Sequence, residues 1–362
     1  MFETKITLRK EFFTDKEQLL VEHGALSVST FRYSTGVEGL TLRGRHGYIT
    51  VLPYKGHQIW RAEFLDHPMV MKTLFDEPQQ TDEFLKTYGA FLIHCGLTAI
   101  GNPSAEDTHP LHGELPNARY QKSFVIVGED ERGKYIELQG QFQYCIGFEV
   151  GYRFIPTYRL YEDDTHFHVK NRIVNLRGVE QEYLYLCHIN FRPIDGSKLV
   201  YSAKTEDIYT HVLIPDNLAA ADQEKLRRYF DILEKDVHAH DTIGGKDQFY
   251  QPEIVFTVKY QKDEQGRGYC MQQLPDGYSF CVSHYPDQLP YGIRWISRME
   301  NEDALGMLLP ATGEHNGYKD CVEKGFIRYM PVDEDVVLEF DVGVGDPQQT
   351  KAWAQKIEEM IK

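Results

Sequence analysis

The feature that most constrains this chain is a run of about a dozen short segments in which apolar and polar residues alternate, separated by turn-forming residues and almost free of helical periodicity. Alternation of period two buries one face of a strand and leaves the other polar, which a helix cannot do. Residues 40–52 read as a hairpin, with Gly44 and Gly47 marking the turn. Residues 124–127 and 135–138 flank the polar run 129–133 and read as a second hairpin, with Gly133 available for a positive φ. Residues 148–160, 166–174, 183–191, 253–259, 268–272, 279–284, 292–299, 325–330 and 336–344 continue the pattern.

Helical spacing is confined to two places. Residues 222–235 bring Leu226, Tyr229, Phe230 and Leu233 to one face, with Asp222 as the expected N-cap. Residues 347–361 follow Asp346, a capping residue, and Pro347, which suits a first turn. A short helix is expected near residues 82–88. With no βαβ alternation, the fold class is all-β, a large antiparallel sandwich with a few peripheral helices. With no linker or internal repeat, the whole chain, 1–362, is expected to be one domain, with 195–251 as a helical and loop insertion over one end.

Composition narrows the functional classes. A formal net charge of −16 repels phosphate backbones, so nucleic acid is not an expected partner. No stretch approaches the roughly 18 apolar residues of a membrane span, and the N-terminus lacks the pattern of a signal peptide. The six cysteines contain no C-x-x-C pair and read as reduced thiols, which with the missing leader points to the cytoplasm.

Three clusters carry potential chemistry. Residues 91–119 pack His94, His109 and His112 with three glycines and three prolines, around Glu114 and Arg119. Long irregular segments with interspersed leucines are characteristic of binding loops. Residues 185–192 (YLCHINFR) put His188 and Asn190 on one face of a strand. Residues 294–318 hold Arg294, Arg298, Glu300, Glu314 and His315 where an apolar strand hands over to a loop. Glu314 is a candidate base there, and the two arginines suit an anionic sugar group. Trp60 and Trp295 offer surfaces on which a sugar can stack.

The segment HPLHGELPNARY, residues 109–120, resembles the His-Gly loop of aldose 1-epimerases. Around it, FLIHCGL, ITVLPYKGHQIW and LLPAT are similar to a branch of that superfamily designated DUF4432, over residues 39–345. The resemblance implies a galactose mutarotase-like supersandwich with a small sugar bound on its open face. It implies that His112 binds near the ring oxygen, that His188 is the general acid, and that a glutamate is the base. At the family's base position this chain has Leu308, Leu309 and Pro310, so Glu314 is expected to fill that space. His94, Asn190, Arg119, Arg294, Arg298, Glu114 and Trp60 complete the expected sugar contacts.

The expected activity is isomerisation of an aldose by ring opening, with no metal or organic cofactor; a homodimer is compatible with it. Three alternatives stay open: a sugar-binding protein without catalysis, an isomerase acting at C2, and a metal enzyme using His94, His109, His112 and Glu114.

Overall fold

The computed structural model describes residues 2–362. Two antiparallel sheets face each other. The smaller sheet has nine strands; its centre is formed by Lys122–Asp130, Gly133–Ile146, Val150–Tyr161, His166–Asn175 and Val336–Gly345. The larger has 13 strands and runs from Ile208–His211 at one edge to Gln18–His23 at the other. Its middle, in order, is Ile254–Val258, Tyr291–Arg298, Asp303–Ala311, Gln181–Ile189 and Leu92–Leu97.

The core lies between the sheets. Tyr185 projects into it and meets Tyr158 and Asn171 of the opposite sheet through His94 and direct hydrogen bonds. Phe91 meets Phe191 edge-on and Phe191 stacks on Phe280, with ring centroids 5.0 and 5.8 Å apart. Period two then sends the neighbours Leu186 and His188 to the opposite, open face of the larger sheet.

The expected hairpins form. Glu38–Arg43 pairs with Gly47–Val51, and Asp130 lies opposite Gly133, whose φ is 128°. Several expectations change. Residues 92–97, read within an irregular segment, form a strand in the middle of the larger sheet. Strands also form at Phe2–Thr7 and Gln18–His23, edge strands whose exposed positions blur the alternation, and at Leu26–Arg32, an inner strand of alternating burial. Phe148 sits in a turn rather than a strand, fully exposed at φ 67°. Residues 318–323 form a helix ahead of the strand Arg328–Met330. The helix Ala220–Lys235 begins before Asp222, which falls in its first turn, and Ala219 is the N-cap. The C-terminal helix Pro347–Ile361 has the expected cap: Asp346 accepts from Gln348 and Gln349 backbone N–H groups in a capping box.

The 195–251 segment carries that first helix and also two strands, Lys198–Tyr201 on the smaller sheet and Ile208–His211 on the larger. No helix among the described residues is long and apolar enough to cross a membrane.

Candidate functional site

On the open face of the larger sheet a cavity of about 210 Å³ is floored by Leu186, Val255, Ile293 and Leu309, from four adjacent strands. Its walls come from loops. The 3₁₀ turn Phe84–Thr87 brings in Phe84 and Leu85, with Tyr88 just after it. The loops after Leu97 and Ala311 bring in Asn102, His112 and His315. Glu253, His188 and Trp295 complete it. A second cavity of about 230 Å³ lies under the C-terminal helix, but its charged groups are already engaged: Arg267 pairs with Asp341, and Lys356 with Asp263 at 2.5 Å. Of these two, the histidine-lined cavity holds unpartnered imidazole nitrogens, those of His112 and His315.

The imidazoles of His112 and His188 meet there, with ring centroids 5.4 Å apart and planes at 86°. His112 takes a left-handed conformation, φ 62°, followed by Gly113 at 79°. A Cβ at Gly113 would come within 2.4 Å of the Ala99 carbonyl, so the loop needs glycine there. Two backbone bonds, His112 N–H to Gly101 O and Gly96 N–H to His112 O, at 3.0 and 2.9 Å, hold the turn. Positive φ at a non-glycine residue is a strain often found at functional sites.

His188 is oriented by Asn190. The Asn190 side-chain N–H donates to the Ala90 carbonyl at 2.9 Å, so its Oδ1 must accept. It accepts from Tyr88 O–H at 3.0 Å and from His188 Nδ1 at 2.7 Å. His188 therefore carries its proton on Nδ1, and when neutral it presents a bare Nε2. Burial lowers the His188 pKa to about 4, against the raising effect of the Asn190 bond. Burial also holds His112 well below the ordinary histidine range, with the neighbouring imidazoles His188, His315 and His109 adding to it. His112 Nδ1 is buried without a partner. His315 is lowered to about 4, first by burial, and its Nδ1 is also unpartnered.

Glu253 is the carboxylate in the lining. Its Oε2 accepts from the Trp295 indole N–H at 2.5 Å. Trp295 in turn lies 4.9 Å from His188 and 6.2 Å from Tyr88, nearly perpendicular to both.

Of the residues expected from the sequence, the structure brings His112, His188, Asn190, Trp295 and His315 to the cavity and distributes the others elsewhere. Glu314 lies beside the cavity but outside its lining, accepting from Lys324 Nζ at 2.7 Å and Thr257 Oγ1 at 3.0 Å. Burial pushes its pKa up, and the bond from Lys324, the charge of His211 and the bond from Thr257 together bring it below the usual value. Arg294 is one residue from Ile293 and Trp295 and so projects to the other face, into the core. It is completely buried there, with its guanidinium 3.9 Å from the Tyr201 ring and bonded to His240 at 2.6 Å. Arg298 is buried against Asp303 and Asp195, both at 2.9 Å. His94 is enclosed between the hydroxyls of Tyr185 and Tyr158, and Trp60 is a core side chain.

Glu114 is tied to the Leu97 and Thr98 backbone N–H groups and to Tyr152 O–H, where it braces the His-Gly loop. Arg119 is exposed and paired with Asp82 at 2.8 Å. Among the described residues no three metal-ligating side chains converge, so His94, His109, His112 and Glu114 do not form a ligand set. Glu253, Tyr88 and Asn102 were not singled out from the sequence. The available signal was positional: Glu253 directly precedes the strand Ile254–Val258, two residues before Val255, and both line the cavity.

Architecture and open-face cavity together define a galactose mutarotase-like sandwich. A structure from Klebsiella pneumoniae subsp. pneumoniae MGH 78578, provisionally named aldose 1-epimerase, superposes with a TM-score of 0.81 at 16% identity, covering 100% of this chain and 96% of that one. A galactose mutarotase-like protein from Clostridium acetobutylicum gives 0.60 at 11% identity, over 90% and 100%. Galactose 1-epimerase from Lactobacillus acidophilus NCFM gives 0.53 at 11%, over 91% and 98%. At these identities the likeness establishes the fold. The chain belongs to the family described as a domain of unknown function, DUF4432, whose model matches residues 34–344. Among curated proteins, none matches the sequence significantly.

Proposed function

We propose that the chain is a sugar isomerase of the aldose 1-epimerase type. The observation that carries this reading is the meeting of His112 and His188 in a cavity about as large as one pyranose, with Asn190 fixing the tautomer of His188. Ring opening needs a proton taken from the anomeric hydroxyl and a donor at the ring oxygen. The bare Nε2 of neutral His188 supports it as the base, in place of the acid role expected from the family. Neutral His112 retains an N–H that can donate to the ring oxygen and stabilise its developing charge, as buried neutral imidazoles do elsewhere. Glu314, bonded to Lys324, fits an indirect role better than direct proton transfer.

Polarimetry or exchange NMR on a panel of aldoses tests the reading. Accelerated anomer exchange is expected, and His188→Ala should slow it by at least about 100-fold. Exchange that continues undiminished in this variant would remove His188 from the mechanism. Leu309 lines the cavity from the segment where the related enzymes are expected to carry their base, and this favours one alternative: a binding protein without turnover. Binding without exchange would select it.

A further inference from the structure

The expected arginine grip on an anionic sugar is absent from the cavity, and what stands there has the opposite sign. No Lys or Arg lines it. Three cations on neighbouring segments are paired: Lys324 with Glu314, Lys86 with Glu83 and Arg119 with Asp82, at 2.7, 2.7 and 2.8 Å. Its histidines are neutral at neutral pH because burial lowers them. The one formal charge in the lining is the Glu253 carboxylate, whose only hydrogen-bond partner among the described residues is the uncharged Trp295 indole. Its Oε1 takes no hydrogen bond from any described residue. Tyr88 and Trp295 form the adjoining wall, and aromatic surface attracts cations and repels anions. A partly buried carboxylate with a free oxygen, next to aromatic rings in a lining that holds no Lys or Arg, is the chemistry that recognises an ammonium group.

We infer that the cavity takes an amino sugar with a free, protonated amine, held by Glu253 Oε1 against Tyr88 and Trp295. This rests on the sugar-isomerase reading and deepens it by naming the substrate class. An N-acetylated sugar would lose the charge. A sugar phosphate or uronic acid would set its anion against Glu253 in a site with no cation to offset it.

Ligand-observed NMR on the full chain tests this, with binding and anomer exchange read on the same samples. The probes are glucosamine and galactosamine, their parent hexoses, N-acetylglucosamine, glucose 6-phosphate and glucuronate. Amino sugars are expected to bind about ten- to a hundredfold more tightly than their parents, the scale of one charge-assisted contact, with the advantage shrinking at high salt. In Glu253→Gln, which keeps the shape and removes the charge, the ratio of amino sugar to parent should fall towards one. Equal binding of parent and amino sugar, or tighter binding of the phosphate or uronate, would overturn the inference while leaving the isomerase reading intact. Amino-sugar preference without anomer exchange would do the reverse. If no probe binds, both are overturned.

Discussion

His188 illustrates how one side chain's chemistry is set by its neighbour. Asn190 can only accept at Oδ1, because its amide N–H is committed to Ala90, so the imidazole proton sits on Nδ1 and the reactive lone pair on Nε2. A base with a pKa lowered to about 4 must be neutral to work. The rate should therefore hold level from about pH 8 down to about 5 and fall as the pH drops through 4; a pH profile of kcat/KM checks this. Asn190→Leu should lower the rate about 10- to 100-fold, because the ring loses both its orientation and its tautomer preference. Mutant exchange rates, with near-UV dichroism as a control for folding, measure that loss. Arg294 is the contrasting case. It neighbours two cavity residues in sequence yet is bonded to His240 and the Met307 carbonyl inside the core. Arg294→Met should leave sugar binding unchanged and cost about 3–5 kcal/mol of stability, read from urea unfolding.

Among the elements, the strand Gln181–Ile189 divides its residues between two tasks. Tyr185 is locked between the sheets by His94 and Asn171, and Leu186 and His188 face the cavity. A shift of one residue would exchange the two sets, so the core contacts on one face also register the chemistry on the other. The His-Gly loop is braced from beneath. Burial raises the pKa of Glu114, and the bonds it accepts from Thr98, Tyr152 and Leu97 work in the opposite direction. Glu114→Gln replaces two acceptor sites by one and should loosen the loop, weakening sugar binding more than it lowers stability; a thermal melt beside a binding titration separates the two. At the C-terminal helix, Asp346→Ala removes the capping box and should cost about 1 kcal/mol.

For the whole molecule, buried histidines set the acid limit. His57 and His284 are enclosed in the core with both ring nitrogens unpartnered, and burial lowers each to about 3. In the unfolded chain they titrate near 6.5, so below that pH the unfolded state binds more protons and folding weakens. Their contribution is complete above about pH 6.5 and is lost progressively towards pH 3, at about 1.4 kcal/mol per pH unit for each ring. The urea midpoint should fall clearly between pH 7 and pH 5, and His57→Phe should reduce the slope; an unchanged midpoint would mean the rings are hydrated in the folded state.

At this scale the division between sequence and structure is clear. Alternation and turn residues declare an all-β sandwich, and Asp346 with Pro347 declares the C-terminal helix, because period two and capping are local properties of the chain. His188 and Asn190 were legible for the same reason: they are two apart in the sequence, at the end of one strand. Which face of a strand looks into the cavity, and which residues distant in sequence meet there, is not local. Glu253 and Trp295 approach His188 only because the strands Ile254–Val258, Tyr291–Arg298, Asp303–Ala311 and Gln181–Ile189 lie side by side in the larger sheet. Arg294 turned inward and Glu314 turned to Lys324 for the corresponding reason, since long-range pairing and burial choose a side chain's partners after the local pattern has placed it on a strand or loop.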